Sequence, residues 1–527
     1  MARYTYAPFE ARRAPELDGA PGRGAPVIVV GAGPVGLTAA IDLATQGIAS
    51  VVVDDSNVVS VGSRAICWAK RTLEIFDRLG VGQRMLEKGV TWQVGRLFHG
   101  PREVYSFDLL PEDGHRMPAF INLQQYYVEQ YLVERALEFP DLIDLRWKSR
   151  VTGVSQGAEG VTATVETPDG SYDLAARYLV ACDGSRSAVR TLMGLELEGE
   201  AFEERFLIAD VEMKADFPSE RWFWFEPEFH PGQTALLHKQ PDDIYRIDLQ
   251  LGWDADPEEE KKPENVIPRI EKAVGGRPFE LDWVSVYSFR CARLARFVHG
   301  RVIFAGDSAH VVSPFGARGG NGGVQDVDNL CWKLAAVLRG EAGPALLETY
   351  NTERIYATDE NITNSSRSTN FMSPRSLAER RFRDGLLALA DDTAFARPMI
   401  NSGRLSRPAS LAGLLGECPA AAQAPLSPGD PCPDAPLPGG DWLLSRLGGG
   451  RFRLLAIGAP APADAPVEVL SLPCEGALAR RYGPGLFLIR PDQHVAASWS
   501  AGPGASAADI AAALDGARAC AARREVA

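Results

Sequence analysis

The sequence predicts an α/β protein. A parallel-sheet domain is interleaved with a mixed-sheet domain and followed by a small α/β tail. Three observations predict this. A strand–turn–helix–strand unit begins at Pro26, alternating strand segments crowd residues 203–290, and a Pro/Gly-rich stretch, Pro425 to Gly440, sets off the end of the chain.

Length and charge bound the reading. The 527 residues suggest about three domains. A 45% hydrophobic and 24% charged composition is ordinary for a globular protein. The 55 Lys and Arg stand against 69 Asp and Glu, a formal net charge of −14, nearly all of it ahead of residue 425. With no basic run to offset it, nucleic acid is not an expected partner. No apolar stretch reaches the ~18–20 residues of a membrane span, and Met1 to Gly24 has no apolar signal region. The eight cysteines include no CxxC, which favours reduced thiols in a cytoplasmic protein over a disulfide frame or a metal site.

The elements follow in order. Residues 1–24 read as an N-terminal arm. Val27-Ile28-Val29-Val30 is a buried strand, followed by Gly31-x-Gly33-x-x-Gly36, a helix, and a second strand Val51-Val52-Val53 closed by Asp54. This is a Rossmann-like βαβ unit. Gly31 makes the tight turn, Gly33 admits a pyrophosphate against backbone, and Gly36 packs helix on strand. The helix N-terminus favours phosphate, and Asp54 is placed to accept from an adenosine ribose. Tyr178-Leu179-Val180-Ala181 is another buried strand, leading to Asp183-Gly184-x-x-Ser187-x-x-Arg190. Val302–Ala305 leads to Gly306-Asp307-Ser308-Ala309-His310, with helices beyond to about 400. The charge run within 254–265 reads as a solvated loop or helix start.

With these three motifs the chain resembles the class A flavoprotein monooxygenases, the FAD-dependent aromatic hydroxylases of phenol hydroxylase type. The resemblance covers about residues 25–400. It implies a cofactor set of FAD and NAD(P)H, with Asp183 and Gly184 serving both nucleotides and Asp307 the FAD ribityl chain. Arg64, in Ser63-Arg64-Ala65, resembles the arginine of the phosphate or adenosine side, and Gln124 the glutamine on the ribityl chain; an exposed helix-cap glutamine is the alternative. The loop Pro314 to Gly323 resembles the one beside the isoalloxazine, with Gly319, Gly320 and Asn321 as cofactor contacts and Pro314 near the reacting edge. Asp326 and Asn329 resemble the helix behind it. Two departures stand out: Asp54-Asp55 replaces the usual Glu-Arg, and Arg318 interrupts the glycine loop, either adding positive charge near the flavin or pointing to solvent.

The resemblance implies hydroxylation of a phenolic or otherwise activated ring through a flavin C4a-hydroperoxide. The partners would be O2 and a small aromatic substrate; a homodimer is left open. The implied organisation is an FAD-binding domain from 25–200 and 290–400, with 90–120 contributing to the substrate side. A substrate-binding domain spans 201–289, and a thioredoxin-like tail without CxxC spans 425–527. On the substrate side, His238 shares a face with Thr234 and Leu236 and is a candidate base for a phenolic proton, with a structural histidine as the alternative. Arg246, Asp248 and Gln250 form one polar face. If that face meets the flavin, Arg246 can hold a carboxylate or phenolate and Gln250 a hydroxyl; if it meets solvent, the residues are not catalytic. Trp222-Phe223-Trp224-Phe225-Glu226-Pro227 is similar to the W-x-W-x-I-P segment of flavin halogenases, but with Glu226 in place of Ile. A halogenase or epoxidase, or a non-catalytic FAD-binding protein, are therefore the alternatives.

Overall fold

Short valine-rich strands buried on both faces need cover on both sides, and the first sheet has it. The computed structural model describes residues 4–19, 24–252, 254–400, 407–414, 426–501 and 505–519. In it β1 (Val27–Val30) runs parallel to β2 (Ser50–Val53) on one side and β3 (Tyr178–Ala181) on the other, with Ile28 opposite Val51 and Leu179. Ile143–Arg146 extends the sheet beyond β2. Val302–Phe304 extends it beyond β3, and Val298–His299 closes that edge antiparallel. Helix α1 (Pro34–Thr45) follows β1 and packs beside α2 (Gly319–Leu338); α2 in turn packs on the long α3 (Leu346–Met372).

The second sheet has eight strands. From one edge they are His310–Val311, Glu280–Arg293, Glu198–Glu212, Ile244–Leu251, Thr234–Lys239, Arg221–Phe225, Val94–His99 and Arg102–Asp108. Its long central pair, Glu198–Glu212 on Glu280–Arg293, overruns the expected 201–289 limits at both ends. We label Arg221–Phe225 β4, Thr234–Lys239 β5 and Ile244–Leu251 β6. Side chains alternate between faces. Leu207, Ala209, Ala235, Leu237, Ile247 and Leu249 form an apolar face covered by Val266 and Ile270 of the helix Pro263–Ala273. The other face carries Arg221, His238, Arg246, Asp248 and Gln250 and turns toward the first domain. The solvent-facing alternative for that polar row is thereby excluded.

The tail holds a four-stranded sheet in the order Glu468–Leu472, Arg453–Ile457, Gly485–Ile489, Val495–Ser500, with the helix Ala507–Ala519 against it. The Pro/Gly-rich stretch is not a linker from Leu426 onward: Cys432, Ala435 and Leu437 are buried with Leu443, Leu455 and Phe487. Prolines have no N–H to satisfy, so such an irregular segment can enter a core at lower expense. Residue 425 itself lies outside the described residues. The turn Arg490–His494 is buried against α2 and α3. Among the described residues, no helix is long and apolar enough to cross a membrane.

Candidate functional site

The glycine turn after β1 is dictated by close approaches. Gly31 has φ +102°, and a Cβ there would lie 2.5 Å from the carbonyl oxygen of Cys182. A Cβ on Gly36 would fall 1.9 Å from the carbonyl oxygen of Gly31. Gly33, at the N-cap of α1, faces open space within 4 Å. Pro34 occupies the first turn, where a missing N–H is harmless. Asp54 fastens the turn to the end of β2: its Oδ2 accepts the Ala32 N–H at 2.6 Å and its Oδ1 the Ser56 N–H at 2.8 Å. Burial raises its carboxyl above the usual range. A carboxylate has about four acceptor sites, so lone pairs remain for a ribose.

The two acidic motifs sit side by side. Asp183 accepts the Ser187 hydroxyl at 2.6 Å and the Val189 N–H at 3.0 Å, capping a short helix, while Gly184 at φ +79° is open around its Cα. Arg190 donates to the carbonyl of Ser308 at 3.0 Å, tying this motif to the next. Asp307 makes no hydrogen bond to the protein among the described residues. Its side chain is accessible, yet it lies deep enough that desolvation raises its carboxyl. The two facts together describe a recessed carboxylate that solvent still reaches. It faces the start of α2, with Oδ1 3.9 Å from where a Gly319 Cβ would stand. The turn that carries it is held by Asp326. Its Oδ2 accepts from the Gly306 N–H at 2.9 Å and from His310 Nε2 at 2.6 Å, and its Oδ1 accepts from Arg354 Nε at 2.7 Å. Burial opposes the charge on Asp326, but His310 and Arg354 keep its carboxyl below the usual range.

Gln124 is buried, not an exposed cap. Its Nε2 donates to the Pro241 carbonyl at 3.4 Å, and its Oε1 is buried without a partner. Arg64 has φ +42° and an exposed side chain.

In the loop before α2, Pro314 is exposed and its carbonyl accepts the Ala317 N–H at 3.0 Å. Phe315 is buried edge-on to Phe206, with ring centres 5.2 Å apart. Arg318 does not point to solvent; it is 6% exposed and donates to Asn361 Oδ1 at 2.7 Å. The Asn321 side chain is not free for a cofactor either. Its Oδ1 accepts the Ala69 N–H at 2.9 Å, and its Nδ2 donates to the carbonyls of Cys67 and Ala317 at 2.8 and 2.6 Å. What the start of α2 presents at Gly319, Gly320 and Asn321 is its first N–H groups, unpaired within the helix, and the positive end of its dipole. Two bare glycines give that helix end close access.

The polar face of the second sheet departs from expectation. Arg246 is committed to protein acceptors. Its Nε donates to Asp210 at 3.1 Å, its Nη1 to the carbonyl of Arg64 at 2.7 Å, and its Nη2 to the Ser63 hydroxyl, so it is a strut between the two domains. Gln250 is likewise spent. Its Oε1 accepts the N–H and hydroxyl of Thr234 at 3.0 and 2.9 Å, and its Nε2 donates to Ser373 at 2.8 Å. His238 lies 3.4 Å from Asp248, but burial and the nearby Arg221 hold its pKa at about 4. It is neutral at neutral pH and too weak a base to take a phenolic proton there. Asp248 remains ionised: burial opposes the charge, and His238, Arg246 and Arg221 keep its carboxyl below the usual range. Glu226, at φ +50°, pairs with Arg383 at 2.7 Å. Sequence reasoning passed over Arg221, whose signal is a lone cation in an otherwise aromatic strand.

These residues adjoin one another. Asp307 faces the Gly319 end of α2, Gly306 beside it packs on Val35 in the first turn of α1, and Arg246 ties the polar face of β4–β6 to Ser63 and Arg64. The orphaned Gln124 oxygen, the unpartnered Asp307 carboxylate and the open helix ends fit a flavin dinucleotide. Residues 24–365 match the family model described as FAD binding domain. A 3-(3-hydroxy-phenyl)propionate/3-hydroxycinnamic acid hydroxylase of Mycolicibacterium smegmatis is 30% identical over 363 residues, 68% of this chain and 64% of that protein. The chain thus spans just under two thirds of that relative's length. A flavin-dependent monooxygenase of Mycobacteroides abscessus is 31% identical over 505 residues, 89% of this chain and 96% of that protein. The ternary complex of aklavinone-11 hydroxylase with FAD and aklavinone is similar at a TM-score of 0.75 and 27% identity, covering 94% of this chain and 99% of that one.

Proposed function

The chain belongs to the FAD-binding family of flavoprotein monooxygenases, and from that premise we propose that it uses NAD(P)H and O2 to hydroxylate a phenolic or otherwise activated aromatic ring. The observation that carries the reading is Asp307: a recessed carboxylate without a hydrogen-bond partner among the described residues, opposite the dipole end of α2. When bound, FAD supplies the electron transfer from NAD(P)H and the activation of oxygen.

The residues then divide the work. Gly31, Gly33 and Gly36 let the pyrophosphate reach the first N–H groups of α1, and Asp54 takes the ribose. Asp307 and the Gln124 oxygen accept from the ribityl hydroxyls. The N–H groups at Gly319 and Gly320 would stabilise the negative charge that a bound flavin develops on reduction. Leu97, Phe206, Phe225, Leu236 and Phe315 form an apolar cluster that includes the loop before α2, with Phe107 and Phe223 packed against it, and would keep water from the transfer. The tail reads as a thioredoxin-like packing module, and the compartment as the cytoplasm.

The test is direct. Purified protein should retain FAD, and a panel of phenols should include members that accelerate NAD(P)H oxidation with a product heavier by one oxygen. A protein that holds FAD but is stimulated by no aromatic compound is not a hydroxylase.

A further inference from the structure

Arg221 lies on the polar face of β4, cross-strand from His238, and is 4% exposed. Its guanidinium forms no ion pair and no hydrogen bond among the described residues, and its Nε and Nη1 are buried without an acceptor. A buried cation in that condition is expensive unless an acceptor meets it. The nearby carboxylates do not bond it: Asp210 accepts from Arg246 at 3.1 Å, and Asp248 turns its Oδ2 to His238 at 3.4 Å while its Oδ1 is buried without a partner of its own. The two arginines and two aspartates balance in formal charge, but the hydrogen-bonding capacity of Arg221 is unmet.

Aromatic rings frame this guanidinium. It lies 4.8 Å from the Phe223 ring centre and 6.0 Å from that of Trp92. Gly95 is its register partner on the neighbouring strand, and the Phe107 ring lies so close over Gly95 that a Cβ there would be 2.2 Å away. Phe107 and Phe223 are only partly buried. Phe107 also joins the cluster of Phe315 to that of Trp92 and Ala317, so continuous aromatic packing links the surroundings of Arg221 to the loop before α2.

We infer that Arg221 is the anion-binding residue of this aromatic site, and that the substrate class is an aromatic compound bearing an ionised oxygen, a carboxylate or a ring oxyanion. The inference takes the location of the reacting ring from the proposed hydroxylase function. Its chemistry rests on Arg221 alone. A planar, always-charged donor set beside aromatic faces suits an anionic oxygen on a flat ring.

The full FAD-loaded chain is tested with two probe pairs: 3-(3-hydroxyphenyl)propionate against its carboxamide, and 4-nitrophenol against 4-nitroanisole. Binding is read by tryptophan fluorescence and, for 4-nitrophenol, by the visible absorbance of bound phenolate. The anionic member of at least one pair should bind about tenfold or more tightly than its neutral partner, as charge-assisted hydrogen bonds imply. Which pair shows the preference separates a carboxylate from a ring oxyanion. Arg221→Met should erase the preference at unchanged FAD content, and Arg221→Lys should keep part of it. Should Arg221→Met not fold, the wild-type preference and its weakening in Arg221→Lys decide. Equal affinity within both pairs, or a preference that survives the loss of Arg221, overturns the inference. A clear anion preference without any stimulated NAD(P)H oxidation would leave Arg221 assigned and remove the hydroxylase function instead.

Discussion

His238 Nε2 stands 3.4 Å from Asp248 Oδ2, yet the imidazole is neutral because burial and Arg221 outweigh the carboxylate. Its pKa is about 4 in the folded protein against an ordinary 6.5. Between those values the unfolded chain binds a proton that the folded chain refuses, so this group withdraws stability as pH falls through the window. Replacing it with a non-titrating residue, His238→Gln, should flatten the loss between pH 6.5 and 4 by about 2–3 kcal/mol. Urea unfolding at the two ends of that range checks it. An equal loss in both proteins would place the acid sensitivity elsewhere.

Glu353 joins the tail to α3. Arg490 Nη1 and Nη2 reach its two oxygens at 3.0 and 2.8 Å, and Lys333 lies at 2.9 Å. Burial alone would raise this carboxyl, but Arg490 and Lys333 hold it at about 2. Glu353→Ala leaves two buried cations short of a partner and should lower stability by about 3–5 kcal/mol, seen as a lower urea midpoint.

Asp307 makes no bond that the fold needs. Asp307→Ala should therefore leave the melting temperature of the apoprotein nearly unchanged while weakening FAD binding roughly 10- to 100-fold, the range of a hydrogen bond to a charged group. Fluorescence of released FAD reports the affinity, and a variant with wild-type affinity would move the ribityl contact to another residue.

The three glycines of the turn should respond differently. Gly36→Ala meets the Gly31 carbonyl oxygen at 1.9 Å and should destabilise the fold by about 1–3 kcal/mol. Gly33→Ala has open space around it, so the fold should tolerate it and only FAD retention should suffer. Thermal melting of apoprotein beside flavin content of purified protein separates the two effects.

The cradle was legible because its chemistry is local: a glycine that must adopt φ +102° and an acid at a strand end announce themselves within thirty residues. Arg246 was not, since its acceptors Ser63 and Arg64 lie on a distant part of the chain and only the docked sheet brings them together. Gln250 and Asn321 misled for a related reason: residue type suggested a free amide, and packing consumed it. Arg221 hid among the aromatic residues that now frame it. The role of the tail's charged turn was not legible because Glu353, Asn329 and Arg71, which enclose Arg490 and Asp492, lie far away in the chain.

That turn bears on how the protein can be divided. Sequence composition invites a cut near residue 425, yielding a nucleotide-binding fragment and a discardable appendage. The fragment would keep Glu353, Lys333, Asn329 and Asp328 in its interior and lose the arginine and backbone carbonyl that complete their ion and hydrogen-bond network. The chain is thus not modular at that point. Swapping tails between related enzymes would succeed only if the plug and its socket were exchanged together.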